Sequence, residues 1–177
     1  MQALSDPDRA TVVVAGMSKT ATTKQLLIVA LQDLHDAKRA WEERGDALCE
    51  GAGKQVRGFL DDDLVRSAKQ ATTLAKMLGK LGGDIEGDPN IWLRAILDDA
   101  ERDIASTVAG PLRDTALIGA FRKGKQAERV SFDTAIALAA RLGNEPEEAA
   151  LTDIRDKHAA GDTELAALLA RTVDELS

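Results

Sequence analysis

The chain has 177 residues, 44% of them hydrophobic but only 3% aromatic, with no tyrosine and a net charge of −7. That length suits one domain whose core is alanine and leucine packed between close helices. The acidity argues against nucleic acid and anionic membrane as partners. No run nears the ~18 apolar residues of a membrane span. A lone cysteine, Cys49, without a Cys/His cluster argues against a disulfide frame or zinc site and for a reducing cytoplasm.

Residues 1–20 read as a poorly ordered or extended arm ahead of a domain over residues 21–177. Ser5 to Asp8 is turn-like, and Thr11 to Val14 is a short β-branched run suited to lying on a neighbour. Met17 is an alternative start, and no basic region followed by a long apolar run marks a secretory signal.

The first helix is predicted to begin near Thr22, which is spaced from Gln25 as in a capping box. Its inner stripe is Leu27, Leu31, Leu34, Lys38, Trp41 and Leu48, and Gly51 and Gly53 end it. Lys38 is the odd member of that stripe. His35 falls off it and is expected at the surface; Cys49 is expected to be a small buried hydrophobe. A second helix over Gln55 to Leu81 closes at Gly82 and Gly83, with Leu60, Leu64, Ser67, Ala71, Leu74, Leu78 and Leu81 inward. Asp61, Asp62 and Asp63 are consecutive. Helical neighbours diverge by about 100°, so the three do not converge on one ion and read as a solvated face. A shorter helix from Pro89 to Ala109 serves as a crossover.

A long helix then runs from Pro111, suited to a first helical turn, to Leu142, with Gly143 as its left-handed stop. Its stripe is Leu117, Phe121, Gly124, Glu128, Phe132, Ala135, Ala139 and Leu142. The carboxylate of Glu128 on that stripe requires a partner. The last helix, from Pro146 to Leu176, turns Leu151, Ile154, His158, Asp162, Leu165, Leu169, Thr172 and Leu176 inward. His158 and Asp162 are four apart and share a face, which would pair them and raise the histidine's pKa.

Four long helices, one shorter crossover and no β pattern make an all-α four-helix bundle of two antiparallel hairpins with a long connection, the ferritin-like arrangement. Halfway along, the bundle offers Lys38, Ser67, Glu128, His158 and Asp162. No strand-linked phosphate loop is present, and Cys49 sits in a different hairpin from His158, so nucleophilic catalysis has no support.

Three segments resemble the YciE/YciF-like group of bacterial ferritin-like proteins, often linked to stress responses. They are Leu31 to Ala37 (LQDLHDA), Asp114 to Ala120 (DTALIGA) and Ala139 to Gly143 (AARLG), and the likeness spans Lys24 to Leu176. The resemblance implies a ferritin-like bundle, which in metal-bearing members uses about six carboxylate or histidine ligands for two ions. Here the matching positions carry Lys38 in place of a glutamate on the first helix and Arg66 in place of another on the second. Only Glu128, His158 and Asp162 remain as vestigial ligand candidates.

The chain is therefore expected to be a non-catalytic structural or interaction protein with no resident cofactor. In it Lys38 and Arg66 would balance Glu128 and Asp162 at mid-bundle, and the partner would be a second copy or another protein. The alternative is an iron- or manganese-binding oxidase or ferroxidase.

Overall fold

The computed structural model describes residues 19–176, and the arm expected over residues 1–20 lies almost wholly outside them. Five helices follow in order: α1 (Thr23–Gly51), α2 (Lys54–Leu81), α3 (Ile91–Ser106), α4 (Pro111–Arg141) and α5 (Glu145–Asp174). Among the described residues there is no strand.

Local chemistry sets the ends. Thr22 accepts the Gln25 N–H at 3.2 Å while Gln25 Oε1 accepts the Thr22 N–H at 3.0 Å, which closes a capping box. At the end of α2, Gly82 takes φ 70°, and the Gly83 N–H reaches back to the Leu78 carbonyl at 2.9 Å. Leu142 and Leu176, expected inward, are exposed because each falls past the last residue of its helix.

The helices α1 and α2 pack as one hairpin and α4 and α5 as the other. The crossover α3 lies against α1 and α4. It is tied to α1 by a polar clamp. Asn90 caps α3 through the Leu93 N–H at 2.7 Å, and its own amide donates to Asp33 Oδ1 at 2.8 Å. Asp33 also accepts from Trp92 Nε1 at 3.1 Å, and Arg94 grips Asp36 at 2.9 Å.

The core is divided. One apolar cluster holds Leu48, Leu60, Leu117 and Leu165; the other holds Leu31, Leu74, Phe132 and Leu151. On every long helix buried polar residues lie between these two sets, so a polar layer crosses the bundle at its middle.

Candidate functional site

Each long helix contributes to that layer. Lys38 comes from α1, Asp63, Ser67 and Gln70 from α2, Lys125 and Glu128 from α4, and His158 from α5. Lys38 is 1% exposed, His158 2% and Glu128 5%, so none is solvated and each must be satisfied by protein.

The connections form a chain. The Lys38 ammonium donates to Glu128 Oε1 and lies 3.0 Å from His158 Nε2. Gln70 Oε1 is 3.1 Å from the same ring nitrogen. Glu128 Oε2 lies 3.0 Å from His158 Nδ1, without the alignment of a hydrogen bond, and 4.0 Å from Lys125 Nζ. Lys125 in turn holds both oxygens of Asp63, at 2.7 and 2.6 Å. The Phe132 ring closes the group from the side, stacked on His158 at 5.4 Å and 5.7 Å from the Lys38 ammonium.

Burial and charge decide the protonation states. Burial pushes the His158 imidazole down to about 4, against the pull of Glu128, so it is neutral near pH 7. Burial works to raise the Glu128 carboxyl, but the neighbouring positive groups hold it well below the usual carboxylate range. The largest pull comes from His158, followed by Lys38 and then Lys125. Burial lowers Lys38 and the Glu128 carboxylate opposes the shift. With both lysines protonated, two cations face two anions around a neutral imidazole, and the layer sums to zero charge.

The expected mid-bundle set is changed in membership. Lys38 and Glu128 are in contact, but Asp162 is not among them. It is buried in the α4–α5 seam, where Arg122 Nε reaches it at 2.8 Å and Gln126 at 2.6 Å. These partners draw it away from His158, whose pKa is lowered by burial and not raised by Asp162. Arg66 is also outside the layer. Its side chain is 40% exposed, over the Phe59 ring and 3.5 Å from Asp63, because the residue beside Ser67 is turned about 100° from the inner face. Asp63 is drawn inward by Lys125 and is not part of a solvated run; its side chain is 13% exposed. His35 is buried, not superficial, and burial lowers its pKa. Lys125 and Gln70 were not foreseen, although Lys125 is three residues before Glu128 and so one turn away on the same face. Cys49 is buried, and burial followed by nearby Asp61 pushes its thiol up to about 12, which makes it inert.

The ferritin-like arrangement implies a pair of metal ions here, and the residues do not fit them. Among the described residues no three His, Cys, Asp or Glu side chains converge as a metal site. The lone pairs that Glu128 Oε1 and His158 Nε2 would give an ion face the Lys38 ammonium instead. Asp63 is already engaged by Lys125.

Residues 22–176 match the family described as Domain of unknown function (DUF892). The structure is similar to that of the E. coli stress protein YciF, with a TM-score of 0.84 at 21% identity over 89% of this chain and 100% of that one. It is also similar to YcfI of Rhodopseudomonas palustris, with a TM-score of 0.77 at 22% identity over 82% of this chain and 94% of that one. No curated protein matches the sequence. The chain belongs to the DUF892 family, the YciE/YciF-like group of ferritin-like helical bundles.

Proposed function

We propose that this chain is a non-catalytic ferritin-like bundle, a structural or interaction protein of the stress response, in which an ion-paired layer stands in for the di-metal centre. The observation that carries this is the Lys38 ammonium seated between Glu128 and His158. A cation fixed by the chain neutralises the buried carboxylate, opposes entry of a second cation and offers no lone pair to a metal while protonated. The association with stress rests on the likeness to YciF, which is described as a stress protein.

Elemental analysis of protein purified without chelator, before and after adding iron and manganese, tests this. Well under one metal per chain is expected. About two per chain would overturn the proposal and make the chain an iron- or manganese-binding oxidase or ferroxidase. The working partner is taken to be a second copy of the chain in the cytoplasm. Support comes from apolar side chains left outward, among them Ile91 at 82% and Val108 at 69% exposure. Sedimentation of the purified protein as a monomer at micromolar concentration would remove that part.

A further inference from the structure

We infer that residues 11–14 of this chain (TVVV) lie in the groove between α1 and the start of α3 and cover it. Val29 and Gln32 on α1 form one wall of that groove; Pro89, Ile91 and Trp92 form the other. It measures about 320 Å³, and along it Val29 is 47% and Ile91 82% exposed. Apolar side chains gathered in one groove mark a contact surface.

The walls are fixed in place. Gln32 Nε2 donates to the Asp84 and Glu86 carbonyls at 3.0 and 2.8 Å, which ties the loop between α2 and α3 to α1. Asn90 and Trp92 are tied to Asp33 at 2.8 and 3.1 Å. A segment that docks here meets a preformed surface and loses only its own freedom.

The place where the described chain begins identifies the occupant. Lys19 and Thr20, its first residues, line an adjoining groove with Gln25, Ile28 and Val29. Val29 belongs to both grooves, so the chain joins α1 along a path that leads to Ile91. Val29 and Asp33 lie about 9 and 15 Å along α1 from Thr23. The chain from Val13 to Lys19 reaches up to about 20 Å, enough to cover that distance. Residues 10–17 read ATVVVAGM, and the charges nearest to them are Arg9 and Lys19. A β-branched, uncharged run suits an extended segment on an apolar floor. A tether this short holds the run near its groove at an effective concentration of about millimolar, which a second copy at micromolar concentration does not match. Docking within the chain withdraws Ile91 from the self-association proposed above and leaves Val108, past the other end of α3, for that role.

The test is disulfide trapping in the full chain, with Cys49→Ala removing the native thiol. Val13→Cys combined with Ile91→Cys should oxidise to a bridge within one chain. The control pair is Val13→Cys with Val173→Cys, because Val173 is exposed at the far end of α5, beyond the reach of the run. The Ile91 pair should close at least about tenfold faster than the control. Val29→Asp puts a charge on the floor of the groove at an exposed position, and should slow the Ile91 bridge by about tenfold. Equal rates for the two pairs, or a bridge indifferent to Val29→Asp, would overturn the inference. Bridged dimers in place of bridged monomers would also overturn it, by assigning the groove to a second copy.

Discussion

The ammonium of Lys38 lies 3.0 Å from Nε2 of His158, and both side chains are all but sealed from water. A protonated lysine only donates, so its contact calls for the lone pair on this nitrogen and the ring proton on Nδ1, beside Glu128 Oε2, and Gln70, 3.1 Å from the same nitrogen, then turns its amide NH2 and not its oxygen to the ring. The neutral imidazole is thus built into the layer, and protonating it would add a third cation beside Lys38 and Lys125.

Stability should accordingly fall with acid in a defined window. The folded pKa of His158, about 4, lies below the ordinary 6.5. Between those values the unfolded chain binds the proton and the folded chain does not, so stability is complete above pH 6.5 and declines toward pH 4. The full effect is ~3 kcal/mol at 1.36 kcal/mol per unit. Below the ordinary 4.5 of a glutamate, Glu128 adds its own loss, because its depressed pKa contributes stability only while it is ionised. His35, the other histidine, is also lowered by burial and acts in the same direction as His158. Urea unfolding at pH 7, 6 and 5 on wild type and His158→Gln separates them. The variant should show a clearly shallower decline, and identical slopes would rule out a neutral buried His158.

Glu128 depends on Lys38 for its charge. Lys38→Met should cost about 3 kcal/mol or more, since it leaves a buried carboxylate facing only Lys125, already committed to Asp63. Adding Glu128→Gln removes the stranded charge and leaves Asp63 and Lys125 balanced, so the double variant should regain much of the loss. Chemical denaturation of the four proteins of this cycle gives the coupling. A single variant as stable as wild type would show that the pair carries no such interdependence.

The helices were legible in the sequence because their ends are marked by local chemistry: Thr22 with Gln25, Gly82, Pro111 and Gly143. The inner stripes were legible because a 3.6-residue period leaves little choice of face, and Lys38 and Glu128 stood out as charges on those stripes. What periodicity does not carry is how far a long side chain reaches. Asp162 has the period of the core and is buried, yet Arg122 and Gln126 on α4 engage its two oxygens and hold it away from His158. Asp63 has the context of a solvated run, yet Lys125 draws it inward. Nor did the pattern assign a role to the LQDLHDA segment, whose Asp33 and Asp36 hold Asn90, Trp92 and Arg94 and so seat the crossover. Those contacts span more than fifty residues and have no local signature.

Two glycines should respond in opposite directions. Gly119 is inside α4, and a Cβ there would meet nothing within 4 Å, so Gly119→Ala should stabilise by about 0.5–1 kcal/mol through helix propensity. Gly82 closes α2 at φ 70°, where an added side chain is strained, and Gly82→Ala should destabilise by about 1 kcal/mol. Thermal melts of the two variants should shift to opposite sides of wild type. A shift of both in one direction would contradict the assignment of the two sites.

If Lys38 stands where a metal would, reversing its charge should restore a demand for one. Lys38→Glu brings a second carboxylate against Glu128 and His158, so the metal-free variant should be less stable than Lys38→Met. Divalent manganese, iron or zinc should then stabilise it. A ligand at a hundred times its Kd contributes about 2.7 kcal/mol, several degrees in melting temperature for a domain of this size. Wild type should melt at the same temperature with chelator or with added metal, because Lys38 already provides the positive charge there. A wild type destabilised by chelator, or a Lys38→Glu variant indifferent to all three ions, would break the equivalence between the lysine and the metal. The first result would mean that the chain still holds an ion despite Lys38. The second would mean that the layer is shaped for the ammonium itself, with Gln70, Phe132 and Asp63 positioned around a lysine and not around the remains of a metal centre.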